Sequence, residues 1–99
     1  MNVKINSVHF RVDKKLEDFI REKLQKMPNL FDGVFDSEVI LKLENSENQE
    51  NKIVEIRLMI RGYDLFAKKH SASFEQAIDL AVEALRKQLV RHKEKTKGI

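Results

Sequence analysis

Residues 73–97 contain the feature that constrains this chain most. Phe74, Ala77, Ile78, Ala81, Val82, Leu85 and Leu89 recur at spacings of three and four. At 100° per residue they fall on one side of a helix, and such a stripe needs a surface to cover it. Ser73 precedes the run as an N-cap, its hydroxyl placed to accept a bond from a first-turn N–H. The far end changes character: residues 86–99 carry six Lys/Arg (Arg86, Lys87, Arg91, Lys93, Lys95, Lys97) against the single acid Glu94. Glu75, Asp79 and Glu83 lie toward the start. Acids early and bases late suit the helix dipole, but the dipole accounts for one or two bases and not for six.

The partner surface is legible in the rest of the chain. Residues 1–6 alternate, with Val3 and Ile5 opposite Lys4, and read as a short strand ending in the turn pair Asn6-Ser7. Asp13 then caps a helix with apolar positions Leu16, Phe19, Ile20, Leu24 and Met27. Glu17–Arg21 and Glu22–Lys26 are i,i+4 pairs in the favourable order, and Pro28 ends the helix. Residues 29–33 read as a loop that tucks Leu30 and Phe31 onto the core. Residues 38–44 alternate again, with Val39, Leu41 and Leu43 inward. The wholly polar stretch 45–51 makes a hairpin loop. Residues 53–61 place Val54, Ile56, Leu58 and Ile60 on the covered side, and Gly62-Tyr63-Asp64 turns into a fourth strand near 65–70.

The order strand, helix, three strands, helix gives an α+β two-layer sandwich. Both helices cover one face of a four-stranded, mostly antiparallel sheet, and the first two strands are parallel neighbours. The opposite face, with Lys42, Glu44, Glu55, Arg57 and Lys68, is left wet.

All 99 residues are expected to form one domain, able to bury roughly 65% of the surface its unfolded chain exposes. There are no cysteines, which excludes disulfides and thiol chemistry. The start lacks an apolar signal segment and no stretch reaches membrane-spanning length. A soluble, cytoplasmic protein without membrane partners is expected. The net charge of +3 is unevenly spread: +3 over residues 1–30, −4 over 31–60, −1 over 61–85 and +5 over 86–99. A chain polarised in this way attracts polyanions on one face.

Catalytic groups are hard to find. His9, His70 and His92 fall on three different elements without further ligands at metal spacing, and neither metal nor cofactor is expected. Asp79 and Glu83, i,i+4 on the last helix, read as a solvated ion-pair face, with Glu83 in reach of Lys87. No glycine-rich phosphate loop and no Ser or Cys in a nucleophile setting occur. The basic residues are more informative. Lys87 and Arg91 flank the apolar stripe of the last helix on one side, and Arg86, Lys93 and Lys97 on the other. Lys23 and Lys26 come from the C-terminal half of the first helix, with Lys14, Lys15 and Arg21 nearby. Two neighbouring helices would join these into a basic ridge suited to phosphates. With no stacking aromatic evident on the open sheet face, recognition of folded RNA by shape and phosphate is expected over base readout. A merely soluble charged surface is the competing interpretation.

These residues resemble a known family. Leu65-x-Ala67, Ala77-Ile78-Asp79, Leu85, Gln88-Leu89 and His92-Lys93, together with Leu16, Phe19, Lys23, Lys26 and Phe31, are similar to the pattern of bacterial ribosome hibernation-promoting factors and ribosome-associated inhibitors. The likeness spans essentially the whole chain, and polar Gln88 inside an apolar stripe makes it fairly specific. The resemblance implies a fold like a double-stranded-RNA-binding domain with an added first strand. It implies a non-enzymatic inhibitor docked on small-subunit rRNA near the decoding site, blocking mRNA and tRNA under stress or in stationary phase. Lys23, Lys26, Lys87, Arg91, His92 and Lys93 match positions the family directs at rRNA; Arg86 and Lys95 are added on charge and placement. Departures occur at Ser73-Phe74-Glu75, where many members have an Asp-Met-Tyr-like segment, and at Ala84, which replaces a common lysine. The chain resembles the short form, expected to be a monomer off the ribosome; the resemblance leaves open whether it helps ribosomes pair itself or needs a second factor to do so. Two other readings compete: a general double-stranded-RNA binder, pointed to by Lys68-Lys69-His70, and a small-molecule enzyme on a ferredoxin-like sheet.

Overall fold

A computed structural model describes residues 2–27, 34–44 and 49–97, apart from the side chains of residues 35 and 93–97. The elements are β1 (Asn2–Val8), α1 (Lys14–Gln25), β2 (Val34–Leu43), β3 (Lys52–Ile60), β4 (Tyr63–Ser71) and α2 (Phe74–Lys97). The sheet order is β1-β2-β3-β4. β1 and β2, joined through α1, pair in parallel, and the other two pairs are antiparallel. This is the expected two-layer α+β sandwich.

Local chemistry starts both helices. The Asp13 carboxylate accepts from the Leu16 N–H at 2.8 Å, and the Ser73 hydroxyl accepts from the Gln76 N–H at 3.2 Å. Each side chain satisfies a backbone donor that the first helical turn leaves open. Between β1 and α1 the Ser7 hydroxyl donates to the Phe10 carbonyl, and His9 takes a φ of 67°. Phe10 then stacks on Phe74, ring centres 5.2 Å apart, tying the approach to α1 to the start of α2.

The core lies between the sheet and the two helices. Ile20 and Leu24 of α1, Val39 and Leu41 of β2, Val54, Ile56 and Leu58 of β3, and Ala77, Ile78, Ala81, Leu85 and Leu89 of α2 have no measurable exposure. Ala77 and Ala81 add little bulk to the buried stripe, which lets α2 lie close to the strands. Fully burying a branched aliphatic side chain contributes about 1.5–3 kcal/mol, so the ten among these residues supply the main driving force.

Five details differ from the sequence expectation. The tight turn falls at Arg61 and Gly62, so Tyr63 and Asp64 already belong to β4. β1 continues through Asn6 and Ser7 to Val8, paired with Ile40, Leu41 and Lys42, and the turn falls at His9. β2 begins at Val34, four residues early, because a register shift between Val34 and Asp36 inserts a bulge. The bulge reverses which side successive residues face, so that Val34 and Val39 are both buried. Leu43, expected inward, is 49% exposed at the end of its strand. Phe66 lies opposite the exposed Arg57 on the open sheet face and is itself 46% exposed, so that face does carry an aromatic. The expected loop with Leu30 and Phe31, Pro28, and residues 45–48 of the hairpin lie outside the described residues.

Two substitutions test this account. Leu85→Ala should lower stability by about 2–5 kcal/mol, since a buried leucine loses both transfer energy and packing. Gly62, between β3 and β4, has a φ of +75°. Gly62→Ala should cost about 1–2 kcal/mol through backbone strain alone, because nothing lies within 4 Å of the added Cβ. Chemical denaturation measures both, and a Gly62→Ala variant as stable as the parent would contradict the turn geometry.

Candidate nucleic-acid interface

The strand directions fix how the charged helices lie. β1, β2 and β4 run one way and β3 the other. Each helix leaves the end of one of the three like-directed strands and packs back along the sheet. α1 and α2 therefore run in the same direction. Side-chain contacts agree: the Lys23 ammonium of α1 lies 3.2 Å from the Asp79 carboxylate near the start of α2. Leu16 and Phe19 share a groove with Glu75, the first-turn acid of α2.

Parallel helices bring like ends together. Toward the N-terminal end stand Asp13, Asp18 and Glu75, joined by Lys14 and Lys15, with Glu22 and Asp79 further along the helices. The hairpin strands close beside it: the Glu44 N–H donates to the Asn51 carbonyl at 2.9 Å, and Lys52 pairs with Ser71, whose hydroxyl donates to Gln76 of α2. At the C-terminal end α1 closes on the exposed Lys26. α2, with 24 residues against 12, runs about 18 Å further. Its later turns carry Arg86, Lys87 and Arg91, all exposed. Lys26, Arg86, Lys87 and Arg91 thus lie toward one end, away from the closing residues of the hairpin, while Lys14, Lys15 and Lys52 stand toward the other.

Each candidate has its own setting. The Lys23 ammonium, besides meeting Asp79, stands 5.4 Å above the Phe19 ring. Lys23 therefore ties α1 to α2 as well as adding charge. Arg86 reaches Glu83 at 3.8 Å; the acid expected to serve Lys87 is engaged by Arg86 instead. That pair is about half exposed on both sides and weak for that reason. Lys87 points outward on the helix, and Arg91 turns toward β4. His92 stacks on Tyr63, ring centres 5.1 Å apart at 12°. The side chains of Lys93 and Lys95, like that of Lys97, lie outside the described residues; their backbone continues α2.

Gln88 explains itself structurally. Its amide nitrogen donates to the Phe66 carbonyl at 2.9 Å, joining α2 to strand β4. At the other side of the sheet, the Arg21 guanidinium donates to the Val3 carbonyl of β1 at 3.0 Å while also bonding Glu17. Arg21 is thereby anchored to the sheet rather than directed at a ligand.

Two residues at the basic end were not singled out from the sequence. Tyr63 falls in the expected turn and Arg61 at the end of the expected strand. Arg61 stands in the turn beside Tyr63 and is exposed. The Tyr63–His92 contact joins residues far apart in the chain, and no local pattern announces it. A cavity of about 220 Å³ between them is lined by Tyr63, Leu65, Gln88, Arg91 and His92. Among the described residues no group of three His, Asp or Glu is placed to hold a metal ion, and no helix is long and apolar enough to cross a membrane.

Comparison with known proteins gives a consistent result. Residues 3–97 match the family model described as Sigma 54 modulation protein / S30EA ribosomal protein. A ribosome hibernation promoting factor of Pseudomonas putida is 32% identical over 99 residues, covering all of this chain and 93% of that protein. Among solved structures, a ribosomal subunit interface protein from Coxiella burnetii superposes with a TM-score of 0.83 at 20% identity, over 94% of this chain and 98% of that one. The Thermus thermophilus Protein Y N-terminal domain gives 0.81 at 25% identity, over 93% and 99% respectively.

The Gln88 contact yields a prediction. Gln88→Leu keeps the volume but removes the donor to Phe66, and should cost about 0.5–1.5 kcal/mol, with faster amide exchange in β4. Exchange unchanged across residues 63–71 would show that Gln88 does not hold the strand.

Proposed function

This chain belongs to the Sigma 54 modulation protein / S30EA ribosomal protein family, and we propose that it serves ribosome hibernation by gripping small-subunit rRNA near the decoding site. There it blocks the mRNA and tRNA path and idles translation under stress or in stationary phase. The observation that carries this reading is the parallel placement of the two helices, which concentrates Lys26, Arg86, Lys87 and Arg91 at one end.

The physics is that of an electrostatic plug. Each phosphate neutralised by a lysine or arginine releases condensed counterions, so affinity comes largely from charge and falls steeply with salt. The acidic helix starts and the strand ends at Glu44 and Asn51 face away from the RNA, and the polarity between the two ends orients the approach. Occlusion needs no bond making or breaking, and the protein acts without turnover, in the cytoplasm where ribosomes are. Lys23, Lys26, Arg86, Lys87, Arg91, His92, Lys93 and Lys95 are the proposed RNA contacts, with Lys23 giving up part of its tie to Asp79 on binding.

Sedimentation through sucrose tests the proposal. The protein should travel with purified small subunits and ignore a plain RNA duplex at the same concentration. Equal retention by the duplex would transfer the protein to general double-stranded-RNA binding. Log–log salt dependence should show a slope of about −0.7 to −0.9 per phosphate neutralised. Combining Lys87→Glu with Arg91→Glu should weaken binding and flatten that slope by about one to two. Stability should shift by no more than about 0.5 kcal/mol per site. A folded double variant with full affinity would remove both residues from the interface.

A further inference from the structure

We propose that Tyr63, backed by His92, is a stacking platform for one unpaired base of the RNA, with Arg91 and Arg61 as its flanking phosphate contacts. The inference rests on the RNA-binding reading above and adds base contact to a surface otherwise built for phosphates.

The geometry points this way for three reasons. First, the Tyr63 and His92 rings lie nearly parallel, 12° apart with centres at 5.1 Å, which occupies one face of Tyr63. The residue is nevertheless 53% exposed. A tyrosine recruited only to fill the core would be covered, as Leu65 two residues on is, at 4%. Second, the ring is held firmly. It opens strand β4 directly after the tight turn at Gly62, pairs with Ile60, and rests on a helix that Gln88 fixes to the same strand. A platform fixed beforehand loses little freedom when a base settles on it. Third, it stands at the basic end, beside the cavity it shares with Arg91 and next in the chain to the Arg61–Gly62 turn.

An aromatic ring among separated cations is the arrangement that takes single-stranded nucleic acid: the ring receives a base face and the cations receive the neighbouring phosphates. Bases inside a duplex already stack on both sides, so the platform selects a base from a loop, bulge or junction. Phe66, the other exposed aromatic of β4, lies on the open sheet face and belongs to a different surface.

The test is co-sedimentation of the full chain with small subunits across a salt series, comparing Tyr63→Phe and Tyr63→Leu with the parent. Base–aromatic stacking contributes about 1–3 kcal/mol. Tyr63→Leu should therefore weaken binding about 5- to 150-fold with the salt slope unchanged, and Tyr63→Phe should stay within about twofold. If Tyr63→Leu proves unstable, Tyr63→Val replaces it, since a β-branched residue suits the strand. Full affinity in the leucine or valine variant, while Lys87→Glu with Arg91→Glu loses binding, overturns the platform and leaves the proposed function standing. A loss in Tyr63→Phe equal to that in Tyr63→Leu also overturns it, by assigning the effect to the hydroxyl. A flattened salt slope in Tyr63→Leu overturns it too, because the loss then belongs to phosphates. If the parent chain does not travel with small subunits at all, the proposed function falls and the platform falls with it.

Discussion

Burial of the α2 stripe against the sheet is the constraint on which everything else rests. Ala77, Ile78, Ala81, Leu85 and Leu89 are wholly covered; this contact fixes the rotation of the helix, and its connection out of β4 fixes the direction. Rotation decides that Arg91 and His92 turn toward β4 while Asp79 faces α1. Direction decides that the cationic turns lie at the same end as Lys26. The electrostatic character of the molecule is thus a by-product of how its apolar residues pack. Net charge contributes little to that character; a chain of the same composition with antiparallel helices would carry one basic patch at each end.

The two-layer fold was legible because its signals are local and repeat. Periods of two and of three to four residues, two side-chain caps and a polar hairpin separate the elements, and the buried positions of α2 and β3 are those the pattern names, except that Phe74 is only partly buried and Ile53 is buried without being named. What was not legible broke the period or spanned the chain. The bulge near Asp36 shifts the alternation, so Val34 could not be aligned with Val39. Phe66, between buried Leu65 and Ala67, falls on the open face by alternation, where no aromatic was expected. Leu43 shows that phase alone does not guarantee cover where a strand outruns its helices.

The candidate interface was legible in composition and not in geometry. Lys23, Arg86 and Lys87 stand out in the sequence as charges, yet only coordinates show Lys23 shared with Asp79 and Arg86 drawn to Glu83. Arg21, a neighbour of the candidates by position, proves to be anchored to β1. Tyr63 was invisible because its significance depends on His92, which lies on another element. Pairings across such distances are set by the tertiary fold, and single-sequence periodicity carries no information about them.

The two side-chain bonds to the outermost strands have a colloidal consequence. Strands at the margins of an open sheet present backbone groups that can recruit another molecule's strand and start polymerisation. Here the Val3 carbonyl on β1 is occupied by Arg21 and the Phe66 carbonyl on β4 by Gln88. Each margin is thereby partly capped from within its own chain. These two tethers make self-templating harder without enlarging the fold.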